Sequence, residues 1–220
     1  MCTNYTPTRN QKWVAQHLGV DLPNEPYPAE AFPGYATPIA LSSHQGQTQC
    51  RLGRFGLVPR WAKDATLGRK TYNARTETVA EKPSYRSAWR KQQFAIALLD
   101  DFFEPNWETG KAVRWRIKRA DGEPMGVASL WDQWTDPGSG EIVTSFTMLT
   151  VNADGHPVMG KFHRPGDEKR SVVVLEAGQF ERWLQAEGKD VSALIGPPPA
   201  DLLIAEAASA SVASNQAPLF

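Results

Sequence analysis

Cysteine is scarce: in 220 residues only Cys2 and Cys50 occur, with no Cys-x-x-Cys pair and no Cys/His spacing of the kind that holds zinc. A disulfide framework and a structural metal centre are therefore not expected. The chain has no run of about 18 apolar residues, and its opening, MCTNYTPTRNQKW, lacks a charged stretch leading into an apolar segment. That argues against a membrane span and a secretory leader, so a cytoplasmic location is expected. There is no GxGxxG fingerprint, no P-loop and no internal repeat, so no cofactor is expected. Excess charge is missing too, because 24 basic residues balance 24 acidic ones. The balance is uneven along the chain: residues 176–220 hold six acids and two bases, leaving 22 bases against 18 acids in residues 1–175. A mildly basic body permits a polyanionic partner without demonstrating one.

What is present is enough for one core. Apolar residues make up 41% of the chain, and eight tryptophans stand at 13, 61, 89, 107, 115, 131, 134 and 183; most must be buried, with one or two left to stack on a ligand. Residues 8–19 read as a short helix with Trp13, Val14, His17 and Leu18 on one face and Gly19 as its stop. Five prolines between 21 and 39 make an irregular connection to a strand near 35–41, and His44 falls in a polar loop. Strands are expected at 48–58, which includes Cys50, and at 93–99, 101–105, 111–119, 125–132 and 143–152, with helical patches near 84–91 and 177–186. The pattern is α+β and rich in antiparallel pairing, a compact single domain with peripheral helices. In 111–119, Val113, Trp115 and Ile117 alternate with Arg114, Arg116 and Lys118, giving one apolar face and one basic face that is either a phosphate track or simply solvated. The domain is expected to span residues 1–195. Beyond it, 196–220 turn to Pro, Ala and Ser and read as a flexible tail.

Position 2 carries the most chemistry. A small residue there allows the initiator methionine to be removed, after which the chain would start with an amine of pKa about 8 two bonds from a thiol of pKa about 8.5. Such a 1,2-aminothiol captures aldehydes: the amine forms an imine, and the sulfur closes a five-membered thiazolidine ring. Four other stretches are dense in polar residues: Phe55-Gly56-Leu57-Val58-Pro59-Arg60-Trp61; Asn73-Ala74-Arg75-Thr76-Glu77-Thr78; Asp101-Phe102-Phe103-Glu104-Pro105; and Lys161-Phe162-His163-Arg164-Pro165, which runs through Asp167-Glu168-Lys169-Arg170 into an apolar strand.

Met-Cys at the start, then F-G-L-V-P-x-W, N-A-R-x-E-T, an aromatic-flanked Glu and a late His-Arg-Pro, in this order over residues 1–190, resemble the SOS response-associated peptidase family. The resemblance implies a β-barrel-like core and a groove for single-stranded DNA. It also implies covalent attachment of the N-terminal cysteine to abasic sites, shielding the lesion, and removal of Met1 by the protein's own Cys2 and Glu104. Carried over by motif, Cys2 is the nucleophile, Glu104 the acid/base carboxylate, His163 the imidazole that helps open the sugar, and Asn73 the group that pins the terminus. Arg75, Arg164, Arg170 and Arg86 are the implied phosphate contacts, and Trp61 the stacking residue. Thr3-Asn4-Tyr5 departs from the Gly-Arg-Phe common in the family, Asp101 stands where a glycine is frequent, and Pro105 stands where Trp is common.

Two other readings stay open. One is a cysteine hydrolase using Cys2, His163 and Asn73. The other is a non-catalytic single-stranded DNA module in which Trp61 and the basic strand form a platform and Cys2 is incidental. The end of the chain, Gln216-Ala217-Pro218-Leu219-Phe220, resembles the peptide that tethers bacterial replication and repair proteins to the sliding clamp. The protein is otherwise expected to be a monomer without a membrane partner.

Overall fold

The computed structural model describes residues 2–43, 46–186 and 190–208. His44 and the peptide 216–220 lie outside them. In chain order the elements are β1 (Asn4–Pro7), α1 (Gln11–Leu18), β2 (Ala36–Ser42), β3 (Thr48–Phe55), β4 (Asn73–Arg75), α2 (Arg86–Arg90), β5 (Phe94–Asn106), β6 (Val113–Arg119), β7 (Met125–Thr135), β8 (Ile142–Asn152), β9 (Arg170–Val172), β10 (Val174–Leu175), α3 (Phe180–Leu184) and β11 (Leu203–Ala207).

Strands β7, β8, β3, β2 and β5 pair in that order, and β5 pairs back onto β7, which closes a five-stranded barrel. The outer strands extend it: β1 and β6 on β5, β11 on β6, β4 and β9 on β8, and β10 on β7. The pairing is antiparallel except for β3 and β4, which each run parallel to β8.

The period of two in each strand separates the interior of the barrel from its outside. Ala95, Ala97 and Leu99 of β5 join Ile39, Leu41, Phe55, Met125, Val127, Phe146 and Met148 in one buried cluster. The alternate positions Phe94, Ile96 and Leu98 join Ala40, Ala128, Leu130 and Leu149 in a second, against Trp13 and Val14 of α1 and Phe180, Trp183 and Leu184 of α3. With both faces covered, β5 reads as an almost unbroken apolar run rather than an alternation. Gly126 on β7 is small because α3 presses close: a Cβ there would lie 2.6 Å from the Phe180 ring and 2.7 Å from Ile96.

Strand β5 is longer than sequence periodicity suggests, because 93–99 and 101–105 are one element whose first half belongs to the barrel and whose second half pairs with β1 and β6. Within the stretch expected to be a tail, Leu203–Ala207 form β11 in register with β6, with Leu203 buried opposite Arg119. That expectation is corrected at least to residue 208: an Ala-rich strand has little apolar alternation, but its backbone completes the edge of β6.

The basic face of β6 is not a free phosphate track. Arg114 lies over the Phe103 ring and binds Asn4 Oδ1 (2.6 Å) and Glu30 (3.0 Å), while Arg116 meets Asp101 (3.3 Å) and Lys118 meets Glu206 (3.0 Å).

Candidate active site

The start of the chain is brought to the site by β1. Asn4 pairs with Phe103 and Tyr5 with Phe102, running antiparallel, so the residues ahead of Asn4 come alongside Glu104 and Pro105. A four-residue strand containing proline forms here because Tyr5 is fully buried, its backbone exchanges hydrogen bonds with Ala31 and its hydroxyl meets Thr37. Cys2 is 1% exposed, and its thiol donates to the Asn4 carbonyl at 3.6 Å.

Three elements close around it. From β5, Glu104 is 3% exposed, with Oε2 3.3 Å from His163 Nε2. From β4, Asn73 donates Nδ2–H to the Cys2 carbonyl at 2.7 Å. His163 arrives on the loop that follows residues 159–161; its backbone N–H donates to the Pro105 carbonyl at 3.1 Å, and Phe162 bridges to Asn106. His163 has φ +65°, a left-handed conformation unusual for a side chain with a Cβ. The surroundings impose it: Lys169 Nζ donates to the carbonyls of His163 (3.3 Å) and Arg164 (2.8 Å).

Burial pushes the Cys2 thiol well above its ordinary value, and the Glu104 charge pushes it further. The group is therefore a neutral thiol at physiological pH. Tyr72 is raised by burial and then by the Glu104 charge, which places it in the same electrostatic environment. Tyr72 is a neighbour that motif reading passed over, although it stands directly before Asn73. Tyr85 was also missed; its hydroxyl donates to the Asn73 carbonyl at 3.0 Å and fixes β4 from behind.

The expected DNA contacts divide. Trp61 is 58% exposed, its indole N–H donating to the Pro83 carbonyl at 3.3 Å, so its ring faces solvent rather than the core. It lies in the turn closed by the Ala62 N–H donating to the Pro59 carbonyl at 2.8 Å. Arg75 is exposed and paired with Glu168 at 2.7 Å, while Glu77, two residues along, bonds Arg170. Arg164 lies over the Trp107 ring at 5.1 Å, close to His163, and Arg86 is exposed on α2.

Arg170 requires a correction. Its side chain is 2% exposed, held by both oxygens of Glu77 (3.0 and 2.9 Å), by Glu168 (2.6 Å) and by the Thr150 carbonyl (2.7 Å), so it braces β8 and β9 and does not face a phosphate. Among the described residues no group of His, Cys, Asp and Glu is arranged to hold a metal ion, and no helix is long and apolar enough to cross a membrane.

Fold and site together define a β-barrel protein that gathers a thiol, a carboxylate and an imidazole around its own first residues. The chain belongs to the SOS response associated peptidase (SRAP) family, whose model matches residues 1–215. It is similar to the abasic site processing protein YoqW of Bacillus subtilis, 30% identical over 157 residues, 69% of this chain and 66% of YoqW. Similarity to the abasic site processing protein YedK of Escherichia coli is 26% over 201 residues, 87% of this chain and 84% of that one. With the abasic site processing protein HMCES of Xenopus tropicalis it is 27% over 168 residues, 66% and 48%. The chain thus spans just under two thirds of YoqW and about half of HMCES. A crystal structure of a Bordetella bronchiseptica protein matches with a TM-score of 0.87 at 36% identity, covering 95% of this chain and 100% of that one. A Bacteroides thetaiotaomicron protein at 22% identity, with a TM-score of 0.75 over 94% and 91% of the two chains, shares the fold.

Proposed function

We propose that this protein processes abasic sites in single-stranded DNA by capturing the ring-opened sugar aldehyde on Cys2 once Met1 has been removed. While Met1 is attached, the Cys2 nitrogen is an amide and cannot form an imine. After removal it is an amine held by the bond from Asn73 to the Cys2 carbonyl. The amine adds to the aldehyde carbon to give a carbinolamine, which loses one water to leave an iminium. Sγ then adds to the same carbon, and the thiol gives up its proton as the thiazolidine closes. Overall, aldehyde and aminothiol become ring plus water.

The observation that carries this reading is the meeting of Cys2, Asn73 and the Glu104–His163 pair in one buried place. A buried neutral thiol is a poor first nucleophile, which favours attack by the amine followed by sulfur addition to an activated iminium. Glu104 and His163, 3.3 Å apart, exchange the protons that each addition and dehydration step moves. Asn73 holds Cys2 rather than orienting His163, which weighs against a cysteine hydrolase built on Cys2, His163 and Asn73. Cys2 and Glu104 are also the groups proposed to release Met1. Arg75, Arg164, Arg86 and Trp61 are the proposed strand contacts, and Gln216–Phe220 the proposed clamp peptide.

Incubation with an oligonucleotide containing one abasic site should give a denaturant-stable adduct whose mass equals protein without Met1 plus DNA minus water. Cys2→Ala should abolish it, and Glu104→Gln should leave Met1 on part of the protein, which then forms no adduct, and slow capture by the rest. An unchanged stable adduct from Cys2→Ala refutes the proposal.

A further inference from the structure

At the other end of β5 from Glu104 lies a cleft of about 730 Å³, bordered by the end of β2 at Ser42, the start of β5 at Phe94, Trp131 of β7 and Leu184 of α3. Its volume is in the range of small-ligand sites, and the chemistry described above does not use it. Two cations line it, Arg60 and Lys91. Asp132, 1% exposed, organises the wall: its Oδ1 accepts from Arg60 Nε at 3.0 Å, from the Gln133 backbone at 2.8 Å and, more weakly, from Gln93 Nε2 at 3.5 Å.

These bonds fix the polar side chains of the wall. Arg60 is held through Nε, and its side chain is 56% exposed. Gln93 places its Nε2 on Asp132, and its Oε1 is a buried acceptor with no hydrogen-bond partner. A buried carbonyl oxygen without a donor is costly and normally finds one. The wall is also strained: Gln92, another lining residue, has φ +50°, the kind of conformation that collects at ligand sites. Trp131, partly buried, adds an aromatic surface beside the apolar floor of Phe94 and Leu184.

We infer that this cleft binds a nucleotide, with the base against Trp131 and donating an N–H to Gln93 Oε1, and the phosphate on Arg60 and Lys91. The chain lacks the glycine-rich motifs that cradle phosphates with backbone amides, so recognition here falls to side chains. Two cations and one buried carboxylate leave the wall with a single positive charge, which suits a monoester or a diester phosphate better than a triphosphate. The nucleotide comes from one of two sources, a free mononucleotide or a residue of a DNA strand. Arg60 precedes the exposed Trp61, so the cleft is continuous in sequence with the proposed strand contacts.

The inference is independent of the capture chemistry, and Cys2→Ala protein should bind as well as wild type. Calorimetric titration with dAMP, supported by quenching of tryptophan fluorescence, should show saturable binding below ~10 mM. Inorganic phosphate, deoxyadenosine and N6,N6-dimethyl-dAMP, which lacks the N–H donor, should each bind roughly tenfold more weakly or worse. Arg60→Gln should lose about tenfold in affinity for dAMP, and Lys91→Gln, an exposed change that leaves Asp132 undisturbed, about fivefold. If dAMP does not bind but both substitutions weaken binding of an undamaged single-stranded oligonucleotide, the inference stands with the strand as the source. No response to dAMP, together with oligonucleotide affinity that neither substitution changes, overturns it. Because these assays use intact nucleotides, their failure leaves the abasic capture reading untouched.

Discussion

Replacing Asn73 with alanine tests whether the terminus must be held for capture. In the wild type the amide lies 2.7 Å from the Cys2 carbonyl, in a residue only 1% exposed. The substitution therefore strands a buried acceptor, a loss of about 1–3 kcal/mol. Little of that should fall on the barrel, because the backbone of Asn73 keeps its place: β4 stays in register with Met148 and Tyr85 still donates to the Asn73 carbonyl. The cost falls on the placement of Cys2, and 1–3 kcal/mol corresponds to a roughly 5- to 150-fold slower single-turnover capture. Asn73→Asp should be slower still, since it replaces the donor with a carboxylate facing a carbonyl oxygen near Glu104. Tyr85→Phe, which acts one bond further away, should cost less than Asn73→Ala. The assay is the rate of appearance of denaturant-stable adduct with an abasic oligonucleotide under excess protein, set beside the melting temperature of each variant. A rate for Asn73→Ala within about twofold of wild type, with Met1 fully removed in both, would refute the argument that this hydrogen bond organises the nucleophile.

Gly126→Ala places a methyl 2.6–2.7 Å from Phe180 and Ile96 in the packed outer layer. It should cost about 1–3 kcal/mol, seen by calorimetry as a fall in melting temperature of roughly 2–10 °C; a melting temperature unchanged within error would mean that α3 does not dock as tightly as described. Burial opposes ionisation of Glu77, yet the bonds from Arg170 hold its carboxyl below the ordinary value, and Arg170 does the same for Glu168. Their contribution to stability is complete above a pH of about 4.3 and is lost as pH falls through the depressed folded values. Urea midpoints of wild type should therefore fall more steeply between roughly pH 5 and pH 3 than those of Arg170→Met, and parallel curves would count against the network. Burial pushes the Cys50 thiol up to about 12, so its alkylation by iodoacetamide at neutral pH, followed by peptide mapping, should be on the order of a thousandfold slower than that of an unperturbed cysteine.

The barrel strands were legible because their residues alternate or run apolar, and both patterns have a direct packing cause. Ile39 and Leu41, or Phe146 and Met148, fall on one face at a period of two, and the chain signals that face without help from its neighbours. Elements that owe their existence to a partner left no such trace. NYTP is four residues with a proline, and it becomes β1 only because Tyr5 enters the barrel core and its backbone finds β5 and Ala31. LIAEA becomes β11 for a similar reason, as the cover for the edge of β6. The basic alternation of β6 was visible, but the carboxylates that neutralise it, Glu30, Asp101 and Glu206, come from three distant segments.

The site divides along the same line. Cys2 could be singled out as a thiol beside the chain start, whereas Asn73, Glu104 and His163 stood out only through the order of motifs that carries the family resemblance. Arginines offer no such contrast. Arg75 and Arg170 sit in equally polar stretches, and both contact Glu168, but one is exposed and the other enclosed. The difference arises from position on the strands. Arg170 opposes Asn152 on β8, where its guanidinium turns inward to the Thr150 carbonyl and lies within reach of Glu77. Arg75 pairs with Thr150 on the other side of β8 and points outward. Glu168 thus joins a buried brace to an exposed cation, and a phosphate that draws Arg75 away must compete with that carboxylate. It follows that Glu168→Gln should strengthen binding of single-stranded DNA to Arg75 while loosening Arg170. An oligonucleotide affinity that rises in Glu168→Gln but not in the double variant with Arg75→Gln would locate the strand at Arg75, and a rise that survives the double change would place it elsewhere.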